Sequence, residues 1–169
     1  MHLSFDIIFI QELSWTFIQS IPSFISYEGE ELVGVPNYPN WTIFSRNSFQ
    51  AYNSLKVITY INICIFSLHF SLWNDILSHR DISCISFFNC GSIYYLINIY
   101  SDLSQSALKY LKDTKININN VFIMTGDFNI RDIFWDLNFL YYSTYKDTFL
   151  DIADSFQLEL SKFTEFFLY

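Results

Sequence analysis

The sequence predicts an α/β layered domain, and three observations carry that expectation. Strand-length apolar runs recur along the chain, two later stretches place apolar residues at helical spacing, and the two kinds of segment alternate. With 51% of its 169 residues hydrophobic and 21% aromatic, the chain can bury the core of one domain. Such a composition excludes disorder.

The elements follow in chain order. Residues 6–10, Asp6-Ile7-Ile8-Phe9-Ile10, read as a buried central strand ending at the polar pair Gln11-Glu12, where a strand would leave the core. Ser14 is placed to cap a short helix reaching Ile21, which Pro22 and Gly29 close off. Residues 27–40 hold two of the 3 prolines and two of the 4 glycines, so they read as a loop. Residues 41–45 and 56–61 look like strands joined by the polar loop 46–54. Residues 71–80 read as irregular or briefly helical.

Residues 81–88 and 92–100 make a hairpin around Asn89-Cys90-Gly91, where glycine supplies a positive φ. Ser101 or Asp102 then starts a helix by accepting a backbone N–H, with Leu103, Ala107, Tyr110, Leu111 and Thr114 on one face. Polar residues 115–120 end it. Residues 121–125 form the next buried strand, running into Gly126-Asp127-Phe128-Asn129, and residues 147–156 read as a second helix.

Charge and cysteine usage narrow the function classes. Only 15% of residues are charged and the net charge is −8, with no basic stripe of the kind that neutralises phosphates. That balance argues mildly against a broad nucleic-acid surface, although carboxylates holding divalent cations can still meet a phosphate. The most membrane-like stretch, residues 57–73, is broken by Asn62, Ser67, His69 and Ser71 and falls short of the ~20 apolar residues a spanning helix needs. Its β-branched and aromatic residues favour strands, so no stable membrane span is expected. Cys64, Cys84 and Cys90 form no Cys-x-x-Cys pair or zinc pattern; Cys64 and Cys84 sit in apolar runs and read as buried thiols. A reducing intracellular or nuclear setting fits. No basic segment followed by an apolar one opens the chain, so no signal peptide is expected.

Two apolar strands end in carboxylates, Glu12 and Asp127. In α/β sheets ligands gather outside the carboxyl ends of strands, and carboxylates arriving there from separate strands suit Mg²⁺, an octahedral cation that keeps several waters. Each carboxylate taken alone could equally cap a helix or turn. If the runs 6–10 and 121–125 lie side by side or nearly so, the two carboxylates should approach within about 4–8 Å, a distance that a metal and a shared water can bridge. Gly126-Asp127-Phe128-Asn129 is more specific: Gly allows a sharp turn, Asp presents a base or ligand, and Asn offers both a donor and an acceptor.

With the strand before it, that run resembles the Gly-Asp-Phe-Asn motif of the endonuclease/exonuclease/phosphatase family. Ile8-Phe9-Ile10-Gln11-Glu12 is similar to the family's strand ending in Gln-Glu, and Asn98-Ile99-Tyr100 to the strand whose Tyr contacts the scissile phosphate. Residues 98–111 (NIYSDLSQSALKYL), 125–136 (TGDFNIRDIFWD) and 151–161 (DIADSFQLELS) resemble the endonuclease domains of non-LTR, LINE-type retrotransposons, fungal ones in particular. The resemblance implies a two-layer β-sandwich flanked by helices, the DNase I-like fold, over residues 1–161, with a divergent tail at 162–169. It implies that Glu12 is a ligand to Mg²⁺ or Mn²⁺, that Tyr100 hydrogen-bonds the phosphate or its base, that Asp127 orients or deprotonates the attacking water, and that Asn129 holds the phosphate. DNA is the implied partner. Tyr100 could also be one more core tyrosine among 12, and Asn129 a turn former.

The sequence departs from the family in two places. The family's opening strand, with its Asn, has no counterpart, and the late Asp-His pair is missing: the histidines are His2, His69 and His79, and none follows Asn129. His69 and His79 read as structural or exposed. The expectation is therefore an incomplete domain, truncated at both ends, and a magnesium-dependent endonuclease that is degenerate, weakly active or inactive. The alternatives are a non-catalytic remnant binding nucleic acid or protein, and a membrane-associated protein built on residues 57–73.

Overall fold

The computed structural model describes residues 5–12, 24–25, 31–32, 38–45, 56–73, 77–114, 118–130, 132 and 143–159. The strands in chain order begin with β1 (Ile7–Gln11), β2 (Phe24–Ile25), β3 (Glu31–Leu32), β4 (Trp41–Phe44) and β5 (Val57–Asn62). A 3₁₀ turn, Ile63–Leu68, leads to β6 (Ser71–Leu72), β7 (Ile82–Asn89) and β8 (Ser92–Tyr100). Helix α1 (Ser106–Thr114), strand β9 (Val121–Asp127) and helix α2 (Thr144–Ser155) follow. They form a mixed α/β fold. One antiparallel sheet has order β1-β5-β4, a second has order β6-β7-β8-β9 with β8 and β9 parallel, and β2 pairs with β3 alone.

Burial explains the layering. In β5 Val57, Ile58, Thr59, Tyr60 and Ile61 are all buried, so this central strand is covered on both faces. On its inner face Ile61 meets Phe44 of β4, Ile85 and Phe87 of β7 and Leu96 of β8, an apolar layer joining the two sheets. Alternation then sends Ile82 and Cys84 of β7, and Ile97 and Ile99 of β8, to the opposite face of their sheet. There they pack on Ala107, Leu108 and Leu111 of α1 and Phe149 and Ile152 of α2.

Strands β1 and β9 are not neighbours in one sheet; they lie in opposite sheets and pack across the interface. The reason is pairing: β1 takes β5 as its antiparallel partner, Gln11 opposite Val57, while β9 takes β8. The β8–β9 ladder carries a one-residue bulge, with Tyr95 opposite Val121 but Leu96 opposite Ile123. Phe122 is the extra residue, 59% exposed, its ring edge-on to Phe87 and Tyr94.

Several expectations need correction. The helix starts at Ser106, not at 101–102, because Ser101 still donates its N–H to the Asp127 carbonyl (2.8 Å) and Gln105 is left-handed at φ 58°. Asp102 nonetheless accepts the Ser106 N–H at 3.2 Å. Leu103 is 82% exposed, and Leu108 takes its place on the buried face. The second helix starts earlier, at Thr144, because Ser143 Oγ accepts the Tyr145 N–H (3.2 Å) and caps it. Cys64 lies exposed on the 3₁₀ turn, whereas Cys84 is buried, which pushes its thiol pKa up to about 12. Ser71–Leu72 pairs with β7, and Glu31–Leu32 with β2, where irregular backbone was expected. Among the described residues no helix is long and apolar enough to cross a membrane. The expected helix from Ser14 to Ile21, the loop 46–54 and the tail 162–169 lie outside the described residues.

Candidate functional site

The site forms where β1, β8 and β9 end together. Gln11 Nε2 donates to Asn98 Oδ1 at 2.6 Å, and Asn98 Nδ2 donates to the Ile58 carbonyl (3.0 Å) and Thr59 Oγ1 (3.3 Å). Asn98 is fully buried, so this one amide ties β8 to β1 and β5 at the apolar layer's polar edge. One residue past Gln11, Glu12 turns out of the strand at φ 53°, a left-handed conformation that costs a non-glycine residue about 1–2 kcal/mol. Two residues past Asn98, Tyr100 reaches the same place, its hydroxyl donating to Glu12 Oε1 at 3.4 Å.

Asp127 arrives from the other side. The bulge shifts the register so that Asp127, not Gly126, stands opposite Tyr100, and a one-residue shift changes which face a side chain occupies. Gly126 is needed for a reason other than a sharp turn: a Cβ there would collide with the Ile99 carbonyl of β8. Beyond it, Asn129 sits at φ 49° with its N–H on Asp127 Oδ1 (3.1 Å) and its Nδ2 on the Ser101 carbonyl (2.8 Å). Buried Gln105 completes the frame, accepting from Ser101 Oγ (2.9 Å) and donating to the carbonyls of Phe128 (3.0 Å) and Asn129 (3.2 Å).

Glu12, Tyr100 and Asp127 are thus brought together, and Asn129 is attached to them through Asp127 and Ser101. Burial raises the Tyr100 pKa, and the charge and hydrogen bond of Glu12 and the charges of Asp127 and Asp102 raise it further. A cation balances part of this charge: Lys56 Nζ lies 5.2 Å from the centre of the Tyr100 ring. His69 is exposed, and the His79 ring lies tilted against that of Tyr110, 5.2 Å between centres, while its Nδ1 accepts the Asp81 N–H at 3.2 Å.

Two carboxylates thus bear on one phenol, Glu12 through a hydrogen bond and Asp127 through its charge. Among the described residues no three or more His, Cys, Asp or Glu gather for a metal. Two protein oxygens still suit Mg²⁺, because its remaining positions are filled by waters and substrate oxygens. Sequence reasoning missed Lys56, Gln105 and the clamping role of Asn98. For Asn98 the signal was there: an amide inside the apolar run Leu96-Ile97-Asn98-Ile99 has to be satisfied by something. No family model matches the chain, and no curated protein or solved structure matches it either. The fold and site define a mixed α/β protein with an acidic, tyrosine-centred cluster at the end of its two sheets.

Proposed function

We propose that the chain is a phosphodiester hydrolase domain of the endonuclease/exonuclease/phosphatase type with a DNase I-like fold, the endonuclease part of a retroelement, acting weakly or not at all on DNA. The observation that carries this reading is the convergence of Glu12, Tyr100 and Asp127 at one end of two facing sheets. Glu12, the carboxylate the resemblance makes the metal ligand, would hold Mg²⁺ or Mn²⁺, and such an ion when bound lowers the pKa of water and neutralises developing phosphate charge. Tyr100, a phenol that is protonated at neutral pH with or without the upward shift, donates a hydrogen bond to a phosphate oxygen. Asp127 accepts a proton from, or orients, the attacking water. The Asn129 amide has a second N–H besides the one on Ser101, and it supports the phosphate.

The same chain carries no imidazole beyond Asn129. A site working without one preorganised donor is slower by ~10²–10³, and that is the size of impairment the proposal expects. The test pairs a melting curve with plasmid nicking. Mg²⁺ or Mn²⁺ should raise the melting temperature by mass action, and Glu12→Gln should reduce that rise. Nicking of supercoiled plasmid should barely exceed that of Asp127→Ala. A melting curve indifferent to metal would sink the metal site and leave a non-catalytic binding domain; rapid nicking would sink the claim of impairment.

A further inference from the structure

Lys and Arg number 9 against 17 Asp and Glu, so cations placed at the Tyr100 end are conspicuous. Lys56 is one, over the Tyr100 ring. Arg80 is the other. It precedes Asp81, whose carbonyl accepts the Tyr100 N–H at 2.9 Å. The Asp81 side chain is 1% exposed, and its Oδ2 takes Arg80 Nε at 3.1 Å, while the Arg80 side chain is 59% exposed. Asp81 Oδ1 is buried with no hydrogen-bond partner among the described residues.

A carboxylate removed from water is weak support for a fold, so its use lies in what it holds. The contact with Asp81 is made through Nε, which leaves both terminal nitrogens as a fork with no partner among the described residues, the geometry that meets two phosphate oxygens. Its place at the site is also marked by charge: Arg80 acts on the Asp102 carboxyl, and Asp102 acts on Tyr100.

We propose that Arg80, anchored by the buried Asp81 carboxylate, and Lys56, over the Tyr100 ring, form an anion subsite that takes a backbone phosphate of a nucleic acid beside the Glu12–Tyr100–Asp127 cluster. It rests on the phosphodiester reading of that cluster, and extends it to how an acidic chain keeps a polyanion. The fork is ordered before binding, so few contacts suffice, and the salt dependence of binding is shallow.

The experiment follows fluorescence anisotropy of a labelled DNA duplex against NaCl, in EDTA, with the whole chain. The wild type binds at low salt, and Arg80→Gln and Lys56→Gln each flatten log K against log salt by about 0.9. Lys112→Gln, a surface lysine paired with Asp151, leaves the slope unchanged. Asp81→Asn puts the fold at risk, so Arg80→Lys is the second variant: it keeps the slope, since the charge stays, but weakens binding, since the fork is lost. No binding by the wild type, or an unaltered slope in both Arg80→Gln and Lys56→Gln, overturns the subsite. Broadening of the Tyr100 and Asp127 resonances by Mn²⁺ reports the metal site separately. Its absence beside an intact Arg80 effect sinks the hydrolase reading alone; its presence without the Arg80 effect sinks the subsite alone.

Discussion

Tyr100 gathers around one phenol a carboxylate acceptor, a lysine over the ring and a second carboxylate across the ladder. Its pKa is raised by burial first and by Glu12 next, so the fold favours the protonated phenol. That contribution is fully present below the unfolded tyrosine value of about 10 and is lost as pH rises through the folded value. Glu12→Gln should bring the Tyr100 pKa down without restoring the ordinary value, because burial and the Asp127 charge remain. The ¹³Cζ shift of labelled tyrosine, followed from neutral to strongly alkaline pH, reads this directly. A Tyr100 titration identical in the variant would mean that Glu12 does not sit on the phenol. At this scale the strand-end positions of Glu12 and Asp127 were legible, since each carboxylate closes an apolar run, whereas Tyr100 was singled out through the resemblance alone. Lys56 and Asp81 were not, because nothing in their neighbours announces a cation over a ring or a carboxylate that goes under cover.

Strand ends and turns show how far local chemistry reaches. The hairpin was legible as a whole, and the structure refines its turn: Asn89 pairs with Ser92, leaving Cys90 (φ 48°) and Gly91 (φ 83°) as a two-residue turn. The start of α1 was misread because the sequence offers Ser101 and Asp102 as caps, while the backbone of Ser101 is still occupied by Asp127. The β8–β9 ladder could not be read at all. Its bulge at Phe122 decides which face Asp127 occupies, and its tolerance is set by Gly126 against the Ile99 carbonyl. Gly126→Ala should therefore destabilise the fold by about 1–3 kcal/mol, the usual cost of forcing atoms into a filled space. Urea unfolding measures it. An alanine variant as stable as the parent would show that β9 can move away from β8 freely, and the register argument for Asp127 would fall.

The two sheets meet through an apolar layer that ends in polar residues, and Asn98 closes it. Replacing Asn98 by leucine adds apolar surface in a buried place, yet it strips partners from the Gln11 amide and the buried Thr59 hydroxyl. Each orphaned group costs about 1–3 kcal/mol, which outweighs the gain, so Asn98→Leu should lower the urea midpoint and weaken metal stabilisation with it. A more stable leucine variant would show that packing alone aligns the sheets. For the molecule as a whole, the sequence by itself determined where the longer strands run, within a residue or two where they stop, and which polar residues stand at their ends, but not the two-residue strands Glu31–Leu32 and Ser71–Leu72. Those are local matters, written in run length and in the switch from apolar to polar. The tertiary structure alone decided that β1 and β9 face each other from separate sheets, that a bulge turns Asp127 toward Tyr100, and that Asn98 holds the layers in register. Pairing partners and faces depend on contacts between residues far apart in the chain, and a period of two along a strand says nothing about which neighbour it will find.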